Sequence, residues 1–131
     1  MNDTTGHDDN DTPRTATVED MRTGYDWSEA VGFSCKSASA LPGYSGPVAW
    51  GPDDIAEVLA SDEGENDGPN WIALLRLTDG RLVAMSAGCD YTGWDCQAGG
   101  GSLVGGPDLE AMHRLGLDPN ERERMRITMA A

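Results

Sequence analysis

Residues 71–104 read WIALLRLTDGRLVAMSAGCDYTGWDCQAGGGSLV, and the way the first half of that stretch pairs with itself decides the fold. Trp71 to Thr78 is apolar at nearly every position, with Arg76 its only charge, and Arg81 to Ala87 follows Asp79-Gly80. A two-residue turn sets Leu77 opposite Leu82 and Arg76 opposite Val83. A three-residue loop, Thr78-Asp79-Gly80 with Gly80 in the left-handed region, sets Leu77 opposite Arg81 and Leu75 opposite Val83. The second register gathers Trp71, Ala73, Leu75, Leu77, Val83 and Met85 on one face and leaves Arg76 and Ser86 on the other. A slip of one residue exchanges the faces, so the three-residue loop is predicted. Ile72, Leu74, Leu82 and Ala84 make the second face apolar too, the pattern of central strands covered in part on that side.

After Gly88 the chain reads Cys89-Asp90-Tyr91-Thr92-Gly93-Trp94-Asp95-Cys96, a near-palindrome. With Thr92-Gly93 as a tight turn, Tyr91 faces Trp94, Asp90 faces Asp95 and Cys89 faces Cys96. Aromatic residues beside a turn stabilise it as a cross-strand pair, whereas opposed aspartates repel. A local rule broken in this way is where a functional reading starts. Tyr91 and Trp94 either present a binding surface, with Asp90 and Asp95 as its charges, or fold back onto the sheet.

Outward from this stretch the chain is read as follows. Residues 1–22 are polar, rich in Asp, Thr and Asn, and lack apolar periodicity, so a disordered acidic leader is expected. Residues 25–50 carry scattered aromatics among glycines and prolines, which predicts irregular structure with one short strand near Val31 to Lys36. Gly51 to Ala60 is the strongest helical pattern, with Pro52 at its first position, Asp53 and Asp54 in the first turn, and an Ile55, Val58, Leu59 stripe. Ser61 to Asn70 is an acidic loop. Gly99-Gly100-Gly101 is a strand end or a mobile turn, and it lacks the lysine and hydroxyl residue of a phosphate loop. Gly106-Pro107-Asp108 opens a second helix with Leu109, Met112 and Leu115 as its stripe and Gly116 as its stop. Asp118-Pro119-Asn120-Glu121 is a capping box for a last helix to about Thr128, expected to be exposed. The fold class is α+β: a small antiparallel sheet of three or four strands with two or three helices on one face. It is a single domain over 23–131.

The chain has 131 residues, with 23 acidic against 9 basic and a formal charge of −14. That field repels nucleic acid and anionic membrane and attracts basic surfaces. There is no apolar run of membrane-spanning length and no signal-peptide pattern at the N-terminus, so cytoplasm is the expected compartment. Three cysteines is an odd number for a secreted disulfide framework. Cys89 and Cys96, opposed in the hairpin, suit a disulfide, two thiols or part of a metal clip. Alternating side chains put the Cys pair and the Asp pair on opposite faces, so only one pair holds a given ion, and zinc wants four ligands. His113 is the one histidine placed to serve a cysteine nucleophile, and it sits beside the apolar stripe of its helix. Asp90 with Asp95 is also a conceivable acid/base pair. No nucleophile elbow, dinucleotide fingerprint or zinc-protease motif is present, so no enzyme and no cofactor are expected.

The segment CDYTGWDCQ, preceded by LTDGRLV and followed by LEAMHRLGL, resembles small uncharacterised proteins of bacteria and their bacteriophages over residues 71–117. That resemblance implies no known activity, and it associates the chain with host-directed inhibitors by analogy only. The expected function is a small acidic binding protein, phage-encoded in that picture. It would engage a protein partner with a basic surface, as an inhibitor or a nucleic-acid mimic, through Asp90, Tyr91, Trp94 and Asp95. The competing expectation is a cysteine- or metal-dependent activity centred on Cys89, Asp90, Asp95 and Cys96.

Overall fold

The computed structural model describes residues 16–94 and 98–129. In chain order the elements are α1 (Val18–Thr23), α2 (Tyr25–Lys36), β1 (Ala38–Ala40), a 3-10 turn (Pro52–Asp54), β2 (Ile55–Asp62), β3 (Trp71–Leu77), β4 (Leu82–Gly88), β5 (Gly99–Gly105), α3 (Leu109–Gly116) and α4 (Pro119–Met129). The architecture is α+β.

The β3–β4 hairpin has the register its side chains demand. Leu75 pairs with Val83, the Leu77 amide donates to the Arg81 carbonyl at 2.8 Å, and Gly80 closes the loop at φ +94°. Trp71, Ala73, Leu75, Leu77, Val83 and Met85 are all 2% exposed or less and share one core. Ile72, Leu74, Leu82 and Ala84 are equally buried in a second core on the other face, which is covered fully rather than in part. The two strands lie inside a five-stranded sheet ordered β1-β5-β4-β3-β2. The sheet is mixed, not purely antiparallel as expected, because β1 runs parallel to β5 with Ser39 opposite Leu103.

The helices cover both faces, not one, since each face presents a row of large apolar side chains that water would otherwise meet. Met21 of α1 and Trp27, Ala30 and Val31 of α2 complete the first core. Ala111 and Met112 of α3, Leu117, and Met125 of α4 complete the second. The last helix was expected to be exposed. It docks through Met125 and Glu121, and Arg124 donates to the Asp62 carboxylate at 2.7 Å and to the Asn70 carbonyl at 2.8 Å. Leu115, placed on the α3 stripe, is 50% exposed.

Three further expectations are corrected. The helix over 51–60 is a 3-10 turn followed by strand β2. Two bulges, between Ile55 and Glu57 and between Val58 and Ala60, explain the mistaken period. Each inserts a residue, so Ile55 and Val58 lie three apart and both join the first core, although a regular strand repeats every two residues. The irregular stretch over 25–50, with its short strand near Val31 to Lys36, is instead helical over Tyr25–Lys36. Its inward row is Trp27, Ala30, Val31 and Ser34, a helical spacing carried half by small residues. The leader expected over 1–22 is folded from Ala16 onward; residues 1–15 lie outside the described ones. Thr17 and Asp20 form a capping box that opens α1, Met21 is fully buried, and Arg22 donates to the carbonyls of Pro52 and Ile55 at 3.1 and 3.0 Å.

Leu75→Ala is expected to cost about 2 to 5 kcal/mol in chemical denaturation, as a buried truncation that leaves a cavity. Arg76 makes only an exposed ion pair with Glu57, so Arg76→Ala should cost less than about 1 kcal/mol. A chain started at Thr23 loses α1 with its buried Met21 and should melt well below the full chain. Equal melting temperatures would show that α1 adds nothing to the core.

Candidate functional site

The near-palindrome closes differently from the symmetric hairpin. The Gly93 amide donates to the Asp90 carbonyl at 2.9 Å, Gly93 takes φ +88°, and Asp90 pairs with Gly93. Aspartate at the first position and glycine at the fourth is what such a turn favours, and the Asp90 carboxylate reinforces it by accepting from the Thr92 amide at 2.9 Å and from the Thr92 hydroxyl. The loop therefore repeats the logic of Gly80, with glycine at its left-handed end. Asp90 faces Gly93, and Tyr91 does not face Trp94. Asp95 and Cys96 lie outside the described residues.

The two aromatics divide between the alternatives. Tyr91 is 78% exposed at the corner of the turn. Trp94 folds back, stacking on Phe33 with centroids 5.7 Å apart and lying 5.1 Å from Trp71, while its Nε1 donates to the Asp26 carboxylate at 3.2 Å. Trp94 is thus a buttress that holds the turn on the first core, and Tyr91 is the ring left facing solvent. Tyr25, next to Asp26 in the chain, is the other highly exposed aromatic at 87%.

Cys89 is buried at the end of β4, and its thiol donates to Asn66 Oδ1 at 2.9 Å. Burial, then the nearby carboxylates of Asp26 and Asp90, pushes its pKa above the usual thiol value. Cys35 is pushed up to about 11, by burial first and by Asp54 second. A nucleophilic cysteine needs the opposite shift. His113 does not reach Cys89: its Nε2 is buried with no partner among the described residues, and the thiol is spent on Asn66. Among the described residues no three His, Cys, Asp or Glu side chains are grouped to hold a metal ion, and no helix is long and apolar enough to cross a membrane.

Beside the turn opens a cleft of about 520 Å3 whose floor is bare sheet backbone, Gly88 and Gly99–Gly101, and whose walls include Asp67, Asn70, Ser86 and Asp90. Asp67 holds a positive φ of 54° while its amide bonds the Cys89 carbonyl, which clamps the β2–β3 loop to the end of β4. At the back of the cleft the Asn70 side-chain amide donates to Ser86 at 2.9 Å, and the Ser86 hydroxyl donates to the nearly buried Glu121 carboxylate at 2.7 Å. The other Glu121 oxygen accepts the Asp118 amide and completes the capping box of α4. The cleft thus offers acceptors and negative charge on rigid supports. Of the candidate site residues read from the sequence it takes Asp90 and Cys89; Asp67, Asn70 and Ser86 were not among them, because a strand and an acidic loop carry no motif. Comparison with protein-family models, curated proteins and solved structures matched none of them.

Trp94→Ala should lower stability by up to about 3 kcal/mol, because it removes two ring contacts, whereas Tyr91→Ala should stay within about 0.5 kcal/mol. Alkylation mapped by mass spectrometry should find Cys35 and Cys89 unreactive at neutral pH in the folded chain. The raised pKa values keep both protonated, so reactivity should climb only as pH rises beyond the ordinary thiol range. Fast labelling of Cys89 at pH 7 would contradict its burial.

Proposed function

We propose that this protein is a small acidic binding protein that engages a basic surface on a macromolecular partner, with the Asp90–Gly93 turn and the adjoining cleft as its contact site. The observation that carries the reading is Tyr91: a ring 78% exposed, on a turn fixed by Asp90 and Gly93, next in the chain to Asp90, which with Asp67 lines the cleft. Exposed aromatics supply large contact area at little entropic cost, and carboxylates beside them favour arginine or lysine from a partner. The charge of −14 steers such a partner from a distance. An inhibitor of a host protein, or a mimic of nucleic acid that occupies a DNA-binding surface, is the sharper form of the same proposal. A cysteine-dependent activity is the weaker reading, since Cys89 is buried, hydrogen-bonded and held as a neutral thiol.

The test is affinity capture from a lysate of the source cells with the wild-type chain, Tyr91→Ala and the double variant Asp67→Asn with Asp90→Asn. Basic proteins retained by the wild type should be depleted by each variant, without a matching loss of melting temperature, and should be released as salt rises. Retention indifferent to salt and to all three substitutions would refute the proposal.

A further inference from the structure

The two edges of the sheet are treated differently. The β2 edge is broken by two bulges, and Arg22 covers its first carbonyl, that of Ile55; bulges and charge are ordinary protections against an added strand. The opposite edge is finished only in part. Strand β1 pairs with Ser102, Leu103 and Val104 and stops, whereas β5 continues back to Gly99, still paired with Gly88 of β4. The Ser102 amide donates to Ser37, and the Val104 carbonyl accepts from Leu41, so these residues face the β1 side. By alternation Gly100 faces it too, and Gly101 faces β4. The outward N–H and C=O of Gly100 have no partner among the described residues.

The glycines themselves add a second observation. A Cβ on Gly100 would lie 2.7 Å from that of Ala87, and one on Gly101 would lie 3.3 Å from the Ser37 carbonyl, so packing accounts for both. Gly99 is exposed and a Cβ there meets nothing among the described residues. No described neighbour requires it, although glycine in a strand costs backbone entropy; a bare position of this kind suits the close approach of another backbone.

We infer that the open half of β5, Gly99–Gly101, receives an extended, arginine- or lysine-bearing segment of the partner as a sixth strand, with alternate side chains entering the cleft beside Asp67 and Asp90. This rests on the binding reading above and names the form of the ligand. Main-chain bonds to Gly100 give affinity, and the carboxylates select basic side chains. A second copy of this chain is a poor occupant, because it brings its own charge of −14 to an already acidic edge.

The probe is a blocked peptide alternating arginine with threonine, compared with its glutamate counterpart and with two versions N-methylated on alternate residues, one set in each phase. The arginine peptide should bind the full chain, the glutamate peptide should not, and one methylation phase should weaken binding by roughly tenfold or more while the other is tolerated. Amide exchange read by NMR should slow at Gly100 and stay unchanged at Gly101. Gly99→Lys, which the fold has room for, should weaken binding at unchanged melting temperature. Arginine-peptide binding that depends on Tyr91 but leaves Gly100 unprotected would overturn the added strand and keep the binding turn. Protection of Gly100 with no dependence on Tyr91 would overturn the turn instead. Equal binding of the glutamate peptide, absence of binding, or edge-to-edge dimers would each sink the inference.

Discussion

Gly80 adopts a left-handed conformation that few other residues tolerate, and the phase of two strands follows from it. With that phase set, Leu75 and Val83 point to one core and Leu74 and Ala84 to the other. Both faces of the hairpin are then too apolar to meet water, and the remaining elements are recruited to cover them. The first core draws α1 and α2, while the second draws α3 and α4. Trp50 ties the layers at the β5 side, donating to Ser102, whose hydroxyl bonds the Ser34 carbonyl of α2. The short parallel strand β1 is laid down where this buried chain of bonds leaves the chain exiting α2.

How far a residue's neighbours lie along the chain decides what the sequence reveals. The β3–β4 register was legible because turn and alternation sit within one segment. The capping box at Asp118 and Glu121 was legible for the same reason, as was the start of α3 after Asp108. Strand β2 was not, since its bulges replace a step of two by a step of three and so imitate a helix. Helix α2 was missed because Ala30 and Ser34 carry half of its buried row, and a hydrophobicity pattern does not mark them.

The site divides along the same line. Asp90 and Tyr91 were singled out from their own octet, and Tyr91 is exposed as one alternative required. Whether Trp94 would be an anchor or a buttress depended on Phe33, Trp71 and Asp26, none of them near it in sequence. The cleft brings together the end of the β2–β3 loop, the middle and end of β4 and the start of β5. No single window contains it. The glycine run Gly99-Gly100-Gly101, read from the sequence as a strand end or a mobile turn, gave no sign of it.

The packing of Trp94 on Trp71 has an optical consequence. Indoles with centroids 5.1 Å apart and planes inclined by 51° are close enough for their excited states to couple. The near-ultraviolet dichroism of the native chain therefore contains a signal owned by the pair rather than by either ring. It reports whether the turn is seated on the sheet, and it does so without any attached label.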